Sequence, residues 1–161
     1  MTIQRTMETV TKRDLKKLYE IDDHLWLEET IKLLKANRLD ELDLDNLIEE
    51  LESLSRKDKA KVKSLLEQVI RHLLLLQYWT REYDLNANHW RAEIRSFRHQ
   101  LEYLLTSNLP NHLNNELDNI YLKAVNYVRD KTGKEIKSLP QNSPYSLAQF
   151  LDPNWYPEIK Q

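Results

Sequence analysis

Residues 62–79 read VKSLLEQVIRHLLLLQYW. Val62, Leu66, Val69, Ile70 and Leu73 recur at the spacing of one helical face. From Leu73 onward the apolar residues spread around the axis, through Leu74, Leu75, Leu76, Tyr78 and Trp79. A helix that is apolar all round is central in a fold or lies at an interface. Leu75 and Trp79 share a line opposite the main stripe, which makes them a candidate interaction face.

Working outward, the spacing predicts this helix from about Arg56 to Tyr83. Ser55 and Asp58 form an approximate capping box at its start. Upstream, Asp43 is read as the cap of a shorter helix bearing Leu44, Leu47, Ile48, Leu51 and Leu54. Before that, Asp22 or Asp23 caps a helix with Leu25, Trp26, Ile31, Leu33 and Leu34, which runs to about Ala36 and stops near Asn37. Downstream, Asp84 to Asn88 reads as a loop. A helix follows from about His89 to Thr106, with a stripe of Trp90, Ile94, Phe97, Leu101, Leu104 and Leu105. Pro110 suits a helix first turn, and the next helix runs to about Lys131. Gly133 stands where a helix stops. The tail carries one helical turn around Ser146 to Leu151. Pro140 to Pro157 holds Tyr145, Leu147, Phe150, Leu151, Trp155 and Tyr156, too apolar for a free tail.

The expected fold is therefore all-α: a single-domain bundle of about five helices with a C-terminal strap. Residues 1–18 are expected to be loosely ordered, and residues 19–157 to form the domain, with the strap at 134–157. The 161 residues suffice for a core without staples.

Composition narrows the function. With no cysteine, disulfides and thiolate chemistry are excluded. The single glycine excludes Gly-rich phosphate loops. The formal net charge of −2 gives no basic excess for nucleic acid. No run approaches the ~20 apolar residues of a membrane span. The expected setting is cytoplasmic, with no membrane and no nucleic acid as partner.

Helical angles at about 100° per residue bring one polar group from each of three predicted helices to a core margin: Glu50, His72 and Arg98. Arg91 lies on the same stripe as Arg98, and Trp90 beside it. A structural charge network would account for this set. A polar pocket for a small anion or for acid–base chemistry is the alternative. The histidines do not fall at metal-ligand spacing, and neither Glu-x-x-His nor His-Glu-x-x-His occurs, so no metal and no cofactor are expected. The serines sit in helical, capping or exposed contexts and none lies in a Gly-x-Ser-x-Gly elbow.

Several strings taken together carry a resemblance: Leu42 to Leu54 (LDLDNLIEELESL), His72-Leu73-Leu74 with Gln77-Tyr78, Trp90-Arg91 with Ile94 and Arg98, and the tail Pro140, Pro144-Tyr145, Leu147, Leu151, Trp155 and Pro157. Tyr19, Asp22 and Trp26 also fit. Over about Tyr19 to Pro157 the chain resembles a bacterial helical family, common in cyanobacteria, known as domain of unknown function twenty-nine. The resemblance implies a compact helical fold and no particular activity. The family usually shows a lysine soon after the His-Leu-Leu string, where this chain has Leu75. A mechanism that needs a basic group there is thereby weakened. The favoured function is a non-enzymatic protein-interaction or structural module, with itself or another protein as partner. The alternative is a small-molecule or phosphate-binding enzyme using Glu50, His72 and Arg98.

Overall fold

The structure is a computed structural model and describes residues 11–106, 108–133 and 135–160. Among them are six α-helices and no strand. Their contacts group into two compact units, one ending at Ser55 and one beginning at Arg56.

In the first unit, α1 spans Lys12–Ile21 and α2 spans Asp23–Lys35. Thr11 caps α1 by accepting from the Asp14 N–H. Asp22 ends α1 and opens α2, accepting from the Leu25 N–H; of the two caps the sequence offered, Asp22 and Asp23, it is the one used. The chain leaves α2 through Asn37, whose φ of 56° is a conformation that asparagine tolerates. The loosely ordered segment expected over residues 1–18 thus holds most of α1; residues 1–10 lie outside the described residues. The unit's interior is small: Leu15, Trp26, Thr30, Leu42 and Asp43 are its buried side chains.

The helix α3 spans Leu44–Tyr78 without a break. The predicted stop at Ser55 is absent because 44–78 contains no glycine or proline, and one serine costs a helix only a few tenths of a kcal/mol. A 3₁₀ turn at Thr80–Glu82 leads into α4, Tyr83–Leu104. The loop expected at Asp84 to Asn88 is helical. Asp84 sits in the first turn, where the dipole favours an anion, and Asn86 donates back to the Glu82 carbonyl.

The second unit packs the C-terminal half of α3 against α4, α5 (Leu109–Thr132) and the strap. Leu73, Leu74, Leu75 and Leu76 are all buried, as they must be when a helix is covered on every side. Gly133 closes α5 in the left-handed conformation, with a φ of 58°, as a helix C-terminus favours. The strap carries α6, Leu147–Leu151, opened by Ser146 in a full capping box with Gln149. Tyr145, Phe150 and Trp155 form an edge-to-face cluster with centroids 4.7–6.3 Å apart. Side chains of the helices tie the strap down, among them Tyr121, whose Oη donates to the Pro140 carbonyl at 2.9 Å, and Gln77, whose Nε2 donates to Tyr145 Oη at 2.7 Å.

Candidate functional site

Arg98 is the most constrained polar side chain of the second unit. It is buried on α4 at 4 % exposure. Its Nε donates to the Phe150 carbonyl at 2.7 Å, Nη1 to the Trp155 carbonyl at 2.9 Å, and Nη2 to the Gln149 carbonyl at 3.4 Å. Gln149 and Phe150 belong to the last turn of α6, where the Gln149 carbonyl also accepts from the Asp152 N–H at 3.3 Å and the Phe150 carbonyl is left to the guanidinium. The guanidinium thus caps a short helix and pins the strap. Burial pulls the Arg98 pKa down, opposed by Tyr156 and Asp152 nearby. Its face also lies 5.3 Å from the Tyr156 ring centroid, and Arg91 lies 4.9 Å from the same ring.

His72 has a different neighbourhood. Its Nδ1 is 2.7 Å from the Gln68 carbonyl. The neutral ring therefore carries its proton on that nitrogen. The Phe97 ring is 5.5 Å away. Burial holds the His72 pKa below its usual value, and the hydrogen bond to Gln68 partly offsets that.

Glu50 lies in the first unit, where it accepts from Tyr19 Oη at 2.7 Å. That bond pushes the Tyr19 pKa up to about 12. Beside it Trp26 meets Tyr19 edge-on at 5.0 Å. The buried Asp43 accepts from Trp26 Nε1 and Asn46 Nδ2. Each member of the expected set therefore has its own partner, and among the described residues no hydrogen bond or ion pair joins Glu50, His72 and Arg98. The expectation of a shared network assumed a carboxylate for Arg98, and three main-chain carbonyls take that place.

The expected interaction face is corrected as well. Leu75 is buried, and Trp79 packs on the core. Trp79 stacks on Trp90 at 6.0 Å and donates its Nε1–H to Glu135. Strap and α4 cover the line that the sequence left bare.

The apolar surface that is bare lies elsewhere. On α3, Leu44, Ile48, Leu51 and Leu54 are 48–58 % exposed. On α2, Leu27, Ile31 and Leu34 are exposed at i, i+4, i+7. Sequence reasoning assigned most of these residues to core stripes. Their spacing showed a sided helix but could not show that, among the described residues, that side stays exposed. Among the described residues no group of three His, Asp or Glu is placed to hold a metal ion, and no helix is long and apolar enough to cross a membrane.

No curated protein matches the chain. A crystal structure of an alpha-helical protein of unknown function from Rhodospirillum rubrum is similar in fold: TM-score 0.63, 21 % identity, covering 85 % of this chain and 90 % of that one. The family described as domain of unknown function DUF29 matches residues 18–156, and the chain belongs to it.

Proposed function

We propose that this protein is an interaction module whose first unit docks an amphipathic helix with basic flanks. The observation that carries this reading is where exposed apolar side chains concentrate. Of fifteen large hydrophobic residues exposed among the described residues, ten lie between Ile21 and Leu54. Grouped exposure of this kind marks a contact surface, whereas single exposed leucines mean nothing. On α3, Leu44, Leu47, Leu51 and Leu54 follow the 3-4-3 spacing of a coiled-coil seam. Partner helices commonly dock on such faces through anchors at i, i+3, i+4 and i+7.

Charge sets the flank chemistry. Up to Ser55 the sequence holds eight Lys and Arg against fourteen Asp and Glu, a formal charge of −6. By helical angle Glu52 and Asp45 follow Ile48 at one border of the α3 stripe, and Glu49 lies on the opposite face. A partner with lysine or arginine beside its leucines gains attraction there, and an acidic one is repelled. The absence of cysteine supports a cytosolic setting for this role.

The test is fluorescence anisotropy with a labelled helical peptide that repeats leucine at 3-4 spacing between lysines. Ile48→Glu/Leu51→Glu should weaken binding at least about tenfold, the scale of losing about 1.4 kcal/mol. Melting should change little, because both side chains are half exposed. Equal affinity for wild type and variant would refute the reading. A dimer of the wild type that the same variant dissociates would make a second copy the occupant.

A further inference from the structure

The second unit has a pocket of about 480 Å³ that the proposed docking face does not use. One wall is α4, with Arg95, Arg98 and His99 at i, i+3, i+4. Leu151 and Pro153 of the strap and Leu105 at the end of α4 supply the apolar part. Its volume falls in the range of small-molecule sites.

Arg98 is the unusual feature. A buried cation costs solvation free energy unless it is paired. Among the described residues no carboxylate stands within ion-pairing distance of Arg98. Three carbonyl dipoles take three of its five N–H groups, so Nη1 and Nη2 each keep one N–H. The charge is solvated on the strap side, and the nearby Asp152 favours the cation without forming an ion pair with it. Arg95 and His99 are exposed, so they sit where an anion enters. Glu102, also exposed, offsets Arg95 there.

We infer that this pocket binds the carboxylate of a small amphiphilic acid, with Arg98 as the anchor and Leu105, Leu151 and Pro153 around the apolar body. One inner cation, with Glu102 offsetting Arg95 and Asp152 nearby, suits a single negative charge rather than a multiply charged phosphate. The planar guanidinium matches a carboxylate in shape. The apolar walls then favour a ligand that is hydrocarbon beyond its head group.

Octanoate is the probe, added to the intact chain and followed by calorimetry and by amide shifts of His99 and Leu105. Saturable binding is expected with Kd on the order of 1 mM or tighter. 1-Octanol, with the same tail and no charge, should bind about tenfold or more weakly. Arg98→Ala can loosen the strap, so two milder variants carry the test. Leu105→Glu offers Arg98 an internal carboxylate and should weaken octanoate at least about tenfold. Arg95→Glu, at an exposed position, should weaken it about threefold to fivefold. The inference is overturned by no saturable binding up to about 10 mM. Octanol binding as well as octanoate, inorganic phosphate binding more tightly than octanoate, or an unchanged affinity in Arg95→Glu would each overturn it too.

Discussion

Replacing Arg98 with alanine removes three hydrogen bonds at once, leaving the Phe150 and Trp155 carbonyls without their donor and the Gln149 carbonyl with the Asp152 N–H alone. The bonds at 2.7 and 2.9 Å count fully, and the one at 3.4 Å counts little, since such bonds weaken as they lengthen. A hydrogen bond from a charged donor contributes about 1.5–3 kcal/mol. The variant also escapes the cost of burying a guanidinium, which offsets part of the loss. A net destabilisation of about 3 kcal/mol follows, or about 10 °C in Tm for a unit of this size. Circular dichroism measures the helices, and tryptophan emission reports Trp155 in the strap cluster when Trp26, Trp79 and Trp90 are replaced by phenylalanine in both variant and reference. Both should shift together if the strap melts with its unit. Arg98→Lys keeps the charge but lacks the fork and should recover less than half of the loss. Arg95→Ala, exposed on the same helix, is the control. Its stability should stay within about 0.5 kcal/mol of wild type. A Tm for Arg98→Ala within about 2 °C of that control would refute the assignment of Arg98 as the strap's anchor.

Three more expectations follow from the same geometry. His72 has its folded pKa below the unfolded value, so the unfolded chain takes up the proton first as pH falls. Its contribution is full above about pH 6.5 and is lost as the pH drops below that toward its folded pKa. Glu93 opposes the shift, while Lys131 and His89 add to it. Denaturant melts of His72→Gln against wild type should show a flatter decline between about pH 7.5 and pH 5, and parallel curves would count against it. Trp79→Glu should lower the melting temperature rather than change the oligomeric state, because Trp79 stacks on Trp90; light scattering with a melt separates the two. Glu50 and Arg98 share no hydrogen-bond partner. The losses in Glu50→Ala and Arg98→Ala should therefore add to within about 0.5 kcal/mol in the double variant, as denaturant melts would show.

Much of the fold was legible because it rests on local chemistry. Asp22, Asn37, Gly133 and Ser146 end or begin helices where their side chains or backbone freedom dictate. The aromatic tail packs because its apolar surface has to be buried. Ser55 misled because a capping box marks a start only where the preceding helix stops, and nothing before it stops one. The region from Asp84 to Asn88 misled because polar residues can sit in a helix first turn as readily as in a loop. The site was harder to read. Arg98 was found at a core margin, but its partners are main-chain carbonyls about fifty residues away, and a carbonyl carries no residue-type signature. Glu50 shares its margin position with His72 and Arg98 only by helical angle, which cannot say that Tyr19 is the group it meets. Leu75 and Leu51 look alike in sequence; one is covered and the other bare, and only tertiary packing separates them.

Methyl spectra of leucine-labelled protein, titrated with the lysine-flanked helix, show whether the leucines of the first unit form a contact surface. Methyl signals of Leu44, Leu51 and Leu54 should shift saturably, while those of the buried Leu66 and Leu75 stay in place. Signals that do not move for the three α3 leucines, or that move only for Leu66 and Leu75, would contradict it.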